Sequence, residues 1–96
     1  GGKLTMPART PETLSPDEGA AVVVNGKRAG AYRDPQGELH IVDTTCTHMG
    51  CEVKWNAGER TWDCPCHGSR FDHKGNVVEG PAKKPLARLE PQPARQ

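Results

Sequence analysis

Aromatic side chains are scarce: 96 residues hold two Trp, one Tyr and one Phe. A core built from so few large rings is thin, and there is no array of rings on which nucleobases could stack. Charge of one sign is missing too. Thirteen basic residues face twelve acidic ones, so there is no basic stripe for nucleic acid, and no nucleic-acid partner is expected. No apolar run is long enough for a membrane span or a signal peptide, so no membrane insertion by this stretch is expected. No segment keeps a helical period. What remains is a small, single, all-β domain, expected to be monomeric in isolation.

Eleven glycines and nine prolines imply many turns between short elements. Gly1–Thr13 has no period and is expected to be a flexible tail, in part an expression remnant, with the domain proper running over 14–96. Ala20–Val24 and Ala29–Arg33 read as strands around Asn25-Gly26, a strong hairpin signal. Asp34–Gly37 turns into a third strand, Glu38–Val42. Glu52–Trp55 and Arg60–Asp63 pair around Asn56–Glu59, and Ser69–Asp72 and Val77–Glu79 pair around His73–Asn76. Gly80–Ala82 is a loop, and Leu86–Glu90 closes the chain as a strand. The expected fold is antiparallel: a small cysteine-bearing unit, at about 44–82, inserted in a larger sheet framework.

All four cysteines and two of the four histidines fall in two loops, Cys46-Thr47-His48-Met49-Gly50-Cys51 and Cys64-Pro65-Cys66-His67-Gly68-Ser69. The outer pattern is C-x-H-x15-C-x2-H with one further cysteine per loop. Three chemistries compete for it. Structural disulfides would use the thiols but leave His48 and His67 without a role. A zinc site usually shows C-x2-4-C with H-x3-5-H or a second C-x2-C, and two thiols would be left over. A [2Fe–2S] cluster with mixed Cys and His ligands gives each residue type work.

CTHMGC and CPCHGS resemble the two loops of Rieske iron–sulfur proteins, a likeness covering roughly Thr44–Leu86. It implies that Cys46 and Cys64 hold one iron and His48 and His67 the other. It also implies a disulfide between Cys51 and Cys66, the mark of the respiratory and photosynthetic bc-complex branch. Two thiolates and two neutral imidazoles leave the oxidised cluster about neutral, whereas four thiolates would make it about −2. Adding an electron therefore costs less. The resemblance further implies that the Ser69 hydroxyl donates to a cluster sulfide. The tyrosine usual two positions later is Phe71 here, so one donor is lost and the potential should be lower. Gly50 and Gly68 are expected to let the backbone turn around the sulfurs. Pro81, in Gly80-Pro81-Ala82, resembles the family's proline loop over the cluster.

The remaining residues have plainer readings. His40 reads as a surface or packing residue, and His73 as an exposed turn residue. Trp55 and Trp62 read as packing residues rather than electron relays, and Met49 as a shield over the cluster. Lys83 and Lys84 read as a solvated loop. Together with LSPDEGA and NGKRAGAYRD, the segments TWDCPCHGSRFD and GPAKKPL look most like the C-terminal Rieske domain fused to some bacterial FAD-dependent amine or amino-acid oxidoreductases. This implies one-electron transfer with a flavin domain or another redox protein, no catalytic site on this domain itself, and a cytoplasmic location. The alternative likeness is the soluble head of a bc1 or b6f Rieske subunit, passing electrons from quinol to cytochrome on a periplasmic or membrane-facing side.

Overall fold

A computed structural model describes residues 9–47 and 50–90. Among the described residues, eight strands form two antiparallel four-stranded sheets. The first is ordered β1-β2-β3-β8: β1 Glu18–Val24, β2 Lys27–Arg33, β3 Leu39–Val42 and β8 Arg88–Leu89. The second is a meander: β4 Lys54–Asn56, β5 Thr61–Asp63, β6 Arg70–Asp72 and β7 Val77–Glu79. No helix among the described residues is long and apolar enough to cross a membrane.

Turn chemistry sets the register. Asn25 and Gly26 both have positive φ, 53° and 75°, as a two-residue hairpin matching the strand twist requires, and Val24 pairs with Lys27 across it. Two aspartates build the same turn twice. Asp34 Oδ1 accepts the N–H groups of Gln36 and Glu38, and Asp72 Oδ1 those of Lys74 and Asn76. Several elements differ from expectation. β1 starts at Glu18, because Glu18 and Gly19 pair with Arg33 and Tyr32. The last strand shrinks to Arg88–Leu89, because only Ile41 and Val42 are available to pair with it. Part of the stretch expected as a tail is packed: Pro11–Thr13 form a 3-10 turn, Pro11 is buried, and the Val23 N–H donates to the Arg9 carbonyl. Residues 1–8 lie outside the described residues.

Each sheet has its own core. Leu14, Val22, Val24, Ala29, Ala31 and Ile41 close one side of the first sheet. On the other side lie Val42, Val53, Trp62, Phe71, Ala82 and Leu86, together with Cys46 and Cys64. The sheets meet where glycine leaves room for indole. A Cβ on Gly30 would stand 2.5 Å from Trp62, and one on Gly19 2.5 Å from Trp55. Both tryptophans are thus packing residues, their tilted rings 4.9 Å apart, with Tyr32 at 4.9 Å from Trp55. His73 is not an exposed turn residue. Its turn folds back so that its ring lies 5.1 Å from Tyr32 and 4.7 Å from His40, and burial and the nearby His40 lower its pKa. His40 is buried, with Nε2 2.9 Å from Asp34 Oδ2.

Asp17 ties the two sheets together. It accepts from the Tyr32 hydroxyl at 2.6 Å and from Arg60 at 2.8 and 2.9 Å. The Arg60 guanidinium, then the Tyr32 hydroxyl, hold its carboxyl well below the usual range. A depressed carboxylate pKa stabilises the fold above the unfolded value of about 4, and that contribution is lost as pH falls toward the folded value. Asp17→Asn keeps the positive φ accessible but removes the charge. Urea titrations should therefore show the variant less stable than the parent at neutral pH. The gap should close progressively below about pH 4; a constant gap across that window would refute the linkage.

Candidate metal centre

The two cysteine loops have one backbone geometry. In the first, Cys46 N–H donates to the Cys51 carbonyl at 2.6 Å and Gly50 N–H to the Cys46 carbonyl at 2.9 Å. In the second, Cys64 N–H donates to the Ser69 carbonyl at 2.8 Å and Gly68 N–H to the Cys64 carbonyl at 3.0 Å. Gly50 and Gly68 occupy the same left-handed position, φ 76° and 79°, where a side chain would be strained. Cys46 therefore corresponds to Cys64, and Cys51 to Ser69. Sequence reasoning paired the loops by ligand type and missed this alignment, although the shared Cys-x3-Gly spacing carries it.

Cys46 and Cys64 are both 2% exposed and sit in one core with Trp62 and Phe71. Neither belongs to a disulfide. Cys51 and Cys66 do, 15 residues apart with Cα atoms at 6.5 Å, so the expected clamp joins the two loops. The Cys64 sulfur lies within 4.8 Å of both disulfide sulfurs. His67 is exposed beside Cys66, at the surface of the second loop. His48 and Met49 lie outside the described residues. The disulfide leaves only two cysteines able to act as thiolates, which excludes any four-thiolate centre. The donor set fits a cluster held by two thiolates with imidazole for the rest.

Each loop is anchored from outside. The Thr44 hydroxyl donates to Glu52, which also accepts from Arg28 Nε at 2.9 Å, and Thr45 bridges Glu52. Val53 N–H donates to the Thr44 carbonyl, so both ends of the first loop are held. The third loop closes over the second. Buried Ser69 Oγ accepts the Ala82 N–H at 3.0 Å, one residue past Pro81. With that acceptor position used, the Ser69 hydroxyl hydrogen can be aimed elsewhere. Thr47 Oγ1 donates to the Lys84 carbonyl at 2.6 Å, tying the first loop to the same segment. The Phe71 ring is fully buried opposite Trp62.

Known proteins resemble this chain. The family model of the Rieske [2Fe-2S] domain matches residues 5–90. YhfW of Bacillus subtilis (strain 168), described as a Rieske 2Fe-2S iron-sulfur protein, is 64% identical over 89 residues, covering 93% of this chain but 18% of YhfW. The cytochrome b6-f complex iron-sulfur subunit 1 of Nostoc sp. (strain PCC 7120) is 56% identical over 46 residues, 48% of this chain and 26% of the subunit. The plasma membrane Rieske protein PetC3 of Synechocystis PCC 6803 superposes with a TM-score of 0.67 at 31% identity, covering 73% of this chain and 72% of PetC3. The chain thus spans less than a fifth of YhfW and about a quarter of the Nostoc subunit.

Proposed function

The chain belongs to the Rieske [2Fe–2S] domain family, a family of electron-transfer domains, and from that premise we propose that Cys46, His48, Cys64 and His67 hold the cluster for one-electron transfer within a larger FAD-dependent oxidoreductase. The bound cluster supplies a single electron-accepting site at a potential raised by imidazole ligation. The observation that carries the ligand assignment is the pair of buried cysteines, alike in backbone geometry and both outside the disulfide. The surrounding residues have stated tasks. The disulfide and the Ser69–Ala82 bond hold three loops together, Trp62 and Phe71 keep water from the sulfurs, and exposed His67 offers a contact for the electron's partner.

What supports the flavoenzyme is the likeness of the flanking segments, together with the length of YhfW, most of which lies outside the matched stretch. The second reading, the head of a b6f-type subunit, is favoured by the disulfide and by the Nostoc match over the loop region. One preparation tests both. The full-length protein should contain two irons and two acid-labile sulfides per chain, as [2Fe–2S] requires, and one flavin. Iron and sulfide without flavin would leave the cluster and remove the flavoenzyme; zinc without sulfide would remove both.

The potential gives a finer test. Phe71 fills the place of a tyrosine without its hydroxyl, in the core that holds both cysteines. A hydroxyl donated to a cysteine sulfur stabilises the reduced cluster, so Phe71→Tyr should raise the midpoint potential and Ser69→Ala should lower it. A hydrogen bond to a charged group is worth roughly 1.5–3 kcal/mol, and only its difference between oxidation states counts. At 59 mV per tenfold change, each shift should be some tens of millivolts up to roughly 100 mV. Protein-film voltammetry reads it directly, and an unchanged potential in Phe71→Tyr would remove the tuning role.

A further inference from the structure

Positive charge is concentrated beside the first loop. One open groove of about 540 Å³ is lined by Cys46 and Thr47 together with Lys74 and Arg88. A second, of about 470 Å³, is lined by Thr47, Pro81, Lys83 and Lys84. Thr47 belongs to both, and its hydroxyl bond to the Lys84 carbonyl joins their walls. All four cations are exposed. The carboxylate in these walls is Asp43, and it accepts the Thr45 N–H.

The rest of the charge is spent differently. Among the described residues, the ion pairs join Arg9 to Glu18, Arg28 to Glu52, His40 to Asp34, Arg60 to Asp17 and Arg70 to Asp63. None includes Lys74, Lys83, Lys84 or Arg88. A chain of net charge +1 thus lines the two adjoining grooves that reach Cys46 and Pro81 with four cations against one carboxylate. Such a face concentrates anionic partners and speeds their encounter, most strongly at low salt.

We infer that Lys74, Lys83, Lys84 and Arg88 form the docking surface for a flavin-bearing redox domain that presents a carboxylate-rich face. The inference rests on the electron-transfer reading and names the chemistry of its partner. Dithionite-reduced protein is mixed in stopped flow with an anionic oxidant, ferricyanide, or a cationic one, tris(phenanthroline)cobalt(III). Lys83→Glu/Lys84→Glu and Lys74→Glu/Arg88→Glu should each slow the ferricyanide reaction about tenfold at low ionic strength, and less than about twofold at 0.5 M salt. The cobalt reaction should speed up. A second readout needs no cluster. Carbodiimide should cross-link the full chain to flavodoxin, an acidic flavin protein, through Lys74, Lys83 or Lys84, and the charge-reversed variants should lose the product.

Ferricyanide rates indifferent to both reversals would overturn the inference, as would cross-links confined to Lys27 or Lys54. A ferricyanide effect without any flavodoxin link would mean a small-anion groove and would equally overturn it. A chain without chromophore would instead defeat the electron-transfer reading, and the cross-linking would still decide the surface.

Discussion

Cys64→Ser protein is expected to be colourless, with no acid-labile sulfide and no signal from a reduced [2Fe–2S] centre, while its Cys51–Cys66 disulfide persists. Cys64 has no substitute. Two of the four sulfurs are committed to each other, so the loss of one buried thiol halves the available thiolates. A serine hydroxyl, poorly acidic and hard, does not replace a thiolate on iron. Cys46→Ser should behave alike, because the loops present Cys46 and Cys64 with the same pair of backbone hydrogen bonds. Folding must be monitored separately. Cys64 is 2% exposed, and a hydroxyl buried without a partner costs about 1–3 kcal/mol. Tryptophan fluorescence serves, since Trp62 packs in the same core. A folded Cys64→Ser protein that keeps the parent's absorption would show that Cys64 is not a ligand.

The turns and the loops were open to a reader of the sequence because their causes are local. Asn25-Gly26 needs two positive φ values, and the side chains of Asp34 and Asp72 close their turns within four residues. The two cysteine motifs are equally local, and the family match confirms the likeness they carry. What the sequence did not disclose depends on residues far apart in the chain. The room that Gly19 and Gly30 leave is filled by Trp55 and Trp62, which arrive over them from the other sheet. His73 looks exposed until the Tyr32 and His40 rings pack against it. Arg9–Thr13 looks like tail because its contact, an N–H from Val23, comes from the middle of β1. Similarly, Ser69 could be read as a donor from its motif. Its acceptance of the Ala82 N–H, 13 residues away, needed the third loop in place.

Removing the clamp should be costly in two separable ways. The Cys51–Cys66 bond closes a loop of 15 residues, for which chain entropy gives roughly 3 kcal/mol. In a domain of this size 1 kcal/mol shifts Tm by about 4–8 °C, so the double variant Cys51→Ala/Cys66→Ala should melt roughly 12–24 °C lower. Both loops keep their own backbone bonds, Cys46 to Cys51 and Cys64 to Ser69, so a cluster should still assemble at low temperature. It should bleach faster on heating, because no cross-link then holds the loops together. The single variant Cys51→Ala should be worse than the double one. It leaves a Cys66 thiol where the disulfide now stands, and the Cys64 sulfur is within 4.8 Å of that position. A thiol so placed competes for iron, whereas alanine at both positions offers no competing sulfur. Absorbance decay at fixed temperature, compared across parent, single and double variants, checks the order. Equal decay in the two variants would mean that the surplus thiol is harmless. Decay equal to the parent in both would mean that the disulfide does not guard the cluster.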